Sequence, residues 1–103
     1  MGLFELDEEG RVLYSSLESI NGYLYRETRL DGANFFDEIV PFVNKDDFQR
    51  RFDMFRMAET RACTFGFTCE YPDGPFSVKV VMARLVLDRQ HFSFLIHLRK
   101  PTL

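Results

Sequence analysis

The side chains best suited to metal binding or nucleophilic catalysis in this chain are its two cysteines and two histidines. Cys63 and Cys69 lie six residues apart, which is ~20 Å along an extended strand and far beyond disulfide reach. They form no CxxC motif, and no histidine lies near them in the sequence, so metal-ligand spacing is absent. His91 and His97 fall on one predicted strand and are expected to be satisfied or exposed residues rather than ligands. We therefore expect two small apolar thiol side chains and predict no metal site.

Acid–base catalysis is the next chemistry to consider, and Asp37 and Glu38 are the pair to test for it. Neighbouring residues point apart in regular structure, which disfavours a cooperating acid pair. No Ser-His-Asp or Cys-His arrangement can be assembled either, because both histidines lie on one strand beside apolar positions. We predict no catalytic residues and no enzymatic activity.

Length and composition indicate a single domain spanning residues 1–103. The chain is 46% hydrophobic, with 12 phenylalanines and no tryptophan, so it can fill a compact core. A net charge of −3 without a basic run argues against a nucleic-acid partner. No apolar stretch approaches the ~20 residues of a membrane span, and no signal-peptide pattern opens the chain. We therefore expect a soluble, cytoplasmic protein.

Hydrophobic alternation and turn residues divide the chain into five strands with a helical middle. The predicted strands are 3–6, 11–15, 63–71, 76–87 and 91–99. The predicted turns are 7–10, 72–75 and 88–90. After the second strand, Ser15 or Ser16 is expected to cap a short helix over 17–21, and Thr28 to cap a further helical turn.

The main helix follows a crowded apolar segment that begins at Gly32, where the backbone must turn. Pro41 ends that segment, because proline cannot continue a helix. Asn44 is the expected N-cap of the main helix. The positions i, i+4 and i+7 of this helix form a buried aromatic stripe made of Phe48, Phe52 and Phe55.

These elements predict an α+β fold of two layers. A five-stranded antiparallel sheet forms one layer, and short helices gathered on one of its faces form the other. Pairing the N-terminal hairpin beside the last strand closes the sheet without crossing connections.

The chain resembles PAS domains, and among them the photoactive yellow protein branch. The similarity extends over nearly the whole chain. Its motifs are the hairpin 7–13, the run Gly-Ala-Asn-Phe-Phe at 32–36, Val40-Pro41, Asp47-Phe48 with Phe52, and Pro75 followed by Val78-Lys79-Val80 and Met82. The resemblance implies a PAS-like two-layer fold, a helix-walled pocket against the sheet, and a signalling role.

The same resemblance implies that the chromophore of that family is absent here. The family attaches a coumaryl group to a cysteine directly after an Ala-Pro or Val-Pro dipeptide, and this chain has Phe42 at that position. The tyrosine and glutamate that hydrogen-bond the phenolate correspond to Ser15 and Ser19. Flavin-adduct PAS domains carry an Asn-Cys-Arg motif, whereas a phenylalanine follows Asn34, and the main helix has no histidine for haem. We therefore expect no cofactor.

An aromatic cluster is predicted at the place where the family has its pocket. Its members are Phe4, Phe42, Phe48, Phe52, Phe65, Phe67 and Phe94, with Ser15 and Ser19 as the polar groups nearby. Aromatic side chains give a small domain a large buried area, so a packed core is favoured over an occupied ligand site. A pocket for a flat apolar ligand is the alternative.

The face of the sheet away from the helices is predicted to be unusually apolar. If Phe76, Val78, Val80 and Met82 face the helices, the alternate residues face outward, Ser93 and Arg99 among them. The outward residues predicted to form an interface are Leu3, Val81, Ala83, Leu85, Leu95 and His97. A soluble monomer rarely leaves such an apolar patch bare, so we expect a homodimer packed through this face.

The favoured function is a PAS-type sensory or signalling module that acts through protein–protein contact. We expect an output domain, such as that of a kinase, cyclase or transcriptional regulator, if the module belongs to a longer chain. The alternative is a small apolar-ligand carrier, or an unrecognised enzyme, on the same fold, because fold does not fix function.

Overall fold

The alternating apolar residues build the five strands that the sequence predicts. In the computed structural model the described residues are 2–17, 32–40 and 42–100. The strands are β1 (Gly2–Leu6), β2 (Val12–Leu17), β3 (Ala62–Tyr71), β4 (Gly74–Val86) and β5 (Phe92–Arg99). A π-helix (Phe35–Ile39) and an α-helix, α1 (Lys45–Met57), lie between β2 and β3 in the chain. The predicted α+β fold class is confirmed.

All five strands join one antiparallel sheet in the order β2-β1-β5-β4-β3. The N-terminal hairpin therefore lies beside the last strand, as predicted, with Phe4 of β1 paired to Ile96 of β5. On β4, the alternate residues Val78, Val80 and Met82 are each at most 5% exposed. Because side chains alternate between the faces of a strand, these three define the inner face of the sheet.

The second strand is longer than predicted, which corrects the prediction for the residues that follow it. β2 continues to Leu17, and both Ser15 and Ser16 are paired with residues of β1. Neither serine caps a helix, because extended pairing with β1 already holds the backbone at these positions. The rest of the predicted 17–21 helix and the turn capped by Thr28 lie outside the described residues.

The apolar segment after Gly32 forms one turn of π-helix, held at its start by reciprocal side-chain caps. Gly32 has a φ of +83°, a value that favours glycine. The Asn34 carboxamide oxygen accepts hydrogen bonds from the backbone N–H groups of Phe36 and Asp37, both at 3.1 Å. The Glu38 carboxylate accepts the backbone N–H of Asn34 in return. Such reciprocal capping satisfies donors that the start of a helix leaves unpaired.

Asn44 occupies the N-cap position of α1, as predicted, but its side chain does not cap the helix. Its Nδ2 donates to the carbonyl oxygen of Thr68 at 2.8 Å, and its Oδ1 accepts the N–H of Glu70 at 3.0 Å. Both partners belong to β3, the strand at the edge of the sheet. The Asn44 side chain therefore ties the start of α1 to that edge.

The aromatic stripe of α1 faces the sheet as its spacing predicts. Phe48, Phe52 and Phe55 are each at most 4% exposed and share one core with the inner side chains of the strands. Among the described residues, no helix combines the length and apolarity needed to cross a bilayer.

Candidate functional site

The aromatic residues predicted to line a pocket lie together between the sheet and the helices. The fully buried members, each at most 3% exposed, are Phe4, Phe42, Phe48, Phe52 and Phe94. Phe65 and Phe67 of β3 are partly buried against them. The sheet contributes rings from three strands, and α1 with the segment before it contributes the others.

One group of rings surrounds Phe42. Its ring centroid lies 5.5 Å from that of Phe48, 5.8 Å from that of Phe67 and 6.0 Å from that of Tyr71. Phe48 and Phe67 are themselves 5.1 Å apart in an edge-to-face arrangement. These separations are those of directly packed aromatic pairs. The side chain of Phe42 is therefore enclosed by other rings.

A second group of rings contains two members that the sequence pattern does not place in the cluster. Phe36 lies 5.1 Å from Phe52, and Phe35 lies 4.6 Å from Phe4, measured between ring centroids. Both are buried although they are neighbours in the chain, which neither strand alternation nor α-helical spacing predicts. The π-turn brings both rings inward. The asparagine that caps this turn is the sequence signal that could have identified it.

The polar side of the predicted pocket is described only in part. Ser15 is half-buried and paired with Phe4, so its side chain lies on the inner face of the sheet. Ser19 lies outside the described residues. The described members of the predicted pocket therefore offer aromatic rings and the Ser15 hydroxyl, and none of them is an acid or an imidazole.

Arg84 is a charged residue at the end of the aromatic core that the sequence analysis missed. It continues the inward positions of β4 and is paired with Phe94. Its Nη2 donates to the carbonyl oxygens of Phe55, Arg56 and Ala58 at 3.2, 2.9 and 2.6 Å. The end of a helix leaves carbonyl groups without intrahelical donors, and a cation there also opposes the negative end of the helix dipole. Arg84 therefore fastens the end of α1 to the sheet.

One sequence feature could have identified Arg84: it is a basic residue at an inward-facing position of a strand whose other inward residues are apolar. Its guanidinium carbon lies 5.9, 5.7 and 5.7 Å from the ring centroids of Phe55, Phe92 and Phe94. A guanidinium packs well against aromatic faces because its charge is delocalised over a plane. Strand alternation alone predicts an apolar residue at position 84, whereas the carbonyl groups at the end of α1 require a hydrogen-bond donor.

Both cysteines are free thiols on β3. Cys69 is 1% exposed, and burial raises the pKa of its thiol from 9.0 to about 12. Burial also raises the pKa of Cys63, against smaller opposing effects of a Met82 backbone hydrogen bond and the Arg51 charge. A raised pKa disfavours the thiolate, which is the form that attacks electrophiles or binds metals. Within the described ranges, no three His, Cys, Asp or Glu side chains lie close enough together to hold a metal ion.

The predicted interface residues occupy neighbouring positions on the outer face of the sheet. Strand pairing sets Leu3 beside His97, and His97 beside Val81, in one row across three strands. The next row sets Glu5 beside Leu95, and Leu95 beside Ala83. The six predicted residues, Leu3, Val81, Ala83, Leu85, Leu95 and His97, are all half-buried, and so are the charged residues Glu5 and Lys79 of the same face.

Ser93 departs from the exposure expected of an outward position. Strand alternation and its pairing with Leu85 place it on the outer face, yet it is 0% exposed. Its Oγ has no hydrogen-bond partner in the part of the chain that the structure describes. The strand period determines the direction of a side chain, whereas its exposure depends on what lies above the strand.

Comparison with known proteins supplies the family. No protein-family model matches this chain. Over 95 residues the chain is 30% identical to the photoactive yellow protein of Halochromatium salexigens, and the alignment covers 90% of this chain and 74% of that protein. The five-stranded antiparallel sheet of this chain, with its short helices, is the PAS-like architecture that such a relation predicts. The chain therefore belongs to the photoactive yellow protein family and is, at the level of that family, a PAS-like sensory domain.

Proposed function

We propose that this chain is a sensory module without a coumarate chromophore, and that it transmits its signal through contact with a second copy of itself. The observation that supports this most strongly is the outer face of the sheet, where half-buried aliphatic side chains of β1, β5 and β4 lie around His97, with Glu5 as their charged neighbour on β1. The outer face of a solvated antiparallel sheet is normally polar. A second protomer packed against this face would remove the apolar side chains from water.

Phe42 supports the part of the proposal that concerns the chromophore. By resemblance it stands where the family has its chromophore-bearing cysteine, and a benzyl side chain has no sulfur with which to form a thioester. Its ring also fills space in the core, at 5.5 Å from Phe48 and 5.8 Å from Phe67. Ser15 stands where the family has the phenolate-binding tyrosine, and its short hydroxyl does not reproduce that reach.

The sheet offers a route from the core to the proposed interface. Val80 and Met82 are fully buried on the inner face, and Val81 between them lies on the outer face. A shift of the helical layer that moves the backbone of β4 therefore also moves the interface. In this proposal the module works in the cytoplasm within a longer signalling protein. A change in how the two protomers pack alters the activity of the output domain.

Light scattering on the purified protein and on two charge variants tests the proposed dimer. Leu95→Glu places a carboxylate in the centre of the outer face, whereas Met57→Glu places one on α1 at a side chain that is 77% exposed. We expect wild type and Met57→Glu to be dimers at high micromolar concentration, and Leu95→Glu to be a folded monomer. A monomeric wild type, or a Leu95→Glu variant as dimeric as wild type, refutes this interface.

A further inference from the structure

The exposed edge of β3 is covered at one end and open at the other. At Glu70 the carbonyl oxygen accepts the Val43 N–H at 2.6 Å and the N–H is bound by Asn44. Backbone groups in a strand alternate in direction, so those of Ala62, Thr64 and Gly66 point out of the same edge. These groups have no hydrogen-bond partner among the described residues. The stretch 62–66 is therefore a free hydrogen-bonding edge.

The outer side of this free edge is hollow. A methyl group added to Gly66 would meet no atom within 4 Å. The glycine lies in an open depression of about 480 Å³, and Lys79, its partner on β4, forms part of the wall. Because strands lie ~4.8 Å apart, the long side chain of Lys79 can reach past the glycine to a strand added beside β3.

The inner side of the free edge is bordered by α1. The Arg51 guanidinium carbon lies 4.6 Å from the ring centroid of Phe65, so this side of the helix overhangs the strand. Met54, three residues further along α1, lies on the same side of the helix and is 64% exposed. A strand added to β3 would therefore meet a cation and an exposed thioether on this side.

The charges at the free edge favour an acidic partner. Arg51, Arg61 and Lys79 have no carboxylate partner in the described ranges. Two acids of α1 are paired within the helix, Asp47 with Arg50 at 3.3 Å and Asp53 with Arg56 at 3.7 Å. Pairing with the same edge of a second copy would bring like charges together, which is unfavourable.

We propose that residues 62–66 of β3 bind an extended acidic segment of a partner protein by strand addition. The edge supplies backbone hydrogen bonds, and the side chains of the added strand alternate between the two faces. One set meets Arg51 and Met54, and the other meets Lys79 above Gly66. Acidic residues at adjacent positions of the partner segment satisfy both cations. The free edge adjoins the proposed dimer face, because Thr64 pairs with Val81, but strand addition uses the outward backbone groups of β3 and is tested by its own variants.

Titration with a short fluorescein-labelled peptide tests the binding. The probe contains valine and threonine with adjacent aspartate and glutamate at its centre, and the matched peptide has lysines in place of the acids. We expect saturable binding of the acidic peptide alone, weakened by about tenfold in Arg51→Glu and in Lys79→Glu. Arg89→Glu, an equal charge change in the β4–β5 turn, leaves the affinity unchanged. Equal binding of both peptides, or no binding of the acidic one, overturns the proposal.

Strand addition predicts a signature that charge attraction alone does not. The amides of Thr64 and Gly66 gain protection from hydrogen exchange when the peptide binds, whereas that of Phe65, already bonded to β4, changes little. Thr64→Pro removes an outward N–H, a substitution that edge strands tolerate, and abolishes binding. Uniform protection of the strand, protection elsewhere only, or full affinity in a folded Thr64→Pro variant refutes strand addition.

Discussion

Phe42 is the residue whose chemistry bears most directly on the proposed loss of the chromophore. The aromatic ring has no group that forms a thioester with an activated acid. We expect wild type mixed with activated coumaric acid to develop no stable visible absorption band. In Phe42→Cys, digestion and mass spectrometry should locate an adduct at residue 42. A stable band in the blue region from the wild-type protein contradicts this part of the proposal.

The two thiols should differ sharply in reactivity. Cys69 is 1% exposed with a pKa of about 12, while Cys63 is only half-buried. At pH 8 we expect a disulfide reagent to modify Cys63 faster than Cys69 in the native protein, and Cys69 only after unfolding. Cys63→Ser should lose the fast reaction, and Cys69→Ser should keep it. Equal rates at the two positions would mean that the inner face at Cys69 is open.

The raised pKa of the Cys69 thiol also predicts that the protein loses stability at alkaline pH. Burial raises the pKa of its thiol from 9.0 to about 12, so the unfolded chain releases this proton at a lower pH than the folded chain. The contribution of this buried neutral thiol to the free energy of unfolding is complete below pH 9 and declines as the pH rises from 9 towards 12. Urea unfolding at pH 8 and pH 10 should show a smaller decline in Cys69→Ser than in wild type. Equal declines in the two proteins would contradict the assignment.

At the scale of the elements, α1 depends on its aromatic stripe. The Phe52 ring lies 5.1 Å from that of Phe36 and 5.3 Å from that of Phe94, and the residue is 1% exposed. Phe52→Ala should lower the free energy of unfolding by ~3–5 kcal/mol in denaturant melts. Met54→Ala, on the exposed side of the same helix, should change it by less than ~0.5 kcal/mol. A loss below ~1 kcal/mol for Phe52→Ala would mean that the buried face of α1 is misassigned.

The end of α1 depends on Arg84. Arg84→Met keeps an apolar stem against the rings but removes the donor from three helix carbonyls. We expect a loss of ~1–3 kcal/mol in unfolding free energy, together with faster hydrogen exchange in the last turn of α1. Arg84→Lys, which keeps a cation, should lose less. Unchanged exchange in the last turn of Arg84→Met would show that these hydrogen bonds do not hold the helix end.

At the scale of the whole molecule, the proposed dimer predicts a dependence on concentration. One chain has a Cα radius of gyration of 13.3 Å. Association stabilises only the folded form, so the melting temperature of wild type should rise with protein concentration. Solution scattering of wild type should give a radius of gyration well above that of one chain. The Leu95→Glu variant should have the radius of one chain and a melting temperature that does not depend on concentration. A melting temperature independent of concentration in wild type contradicts the dimer.

Much of the fold follows from local patterns in the sequence. The alternation along 76–82 predicts which residues of β4 are buried, because a strand backbone sends successive side chains to opposite faces. The spacing of Phe48, Phe52 and Phe55 predicts the buried face of α1 for the same reason at helical period. Turn residues predict where the strands end. Each of these depends only on residues within a few positions of one another.

Tertiary structure decided the features that depend on partners distant in the chain. Asn44 has the sequence signature of an N-cap, yet its carboxamide bonds to β3 because Glu70 presents edge backbone groups there. Arg84 finds partners at its inward position because the end of α1 lies above it, and Ser15 is extended because β1 pairs with it. A local pattern states what a residue prefers, and folding selects among those preferences by which backbone groups would otherwise stay unpaired.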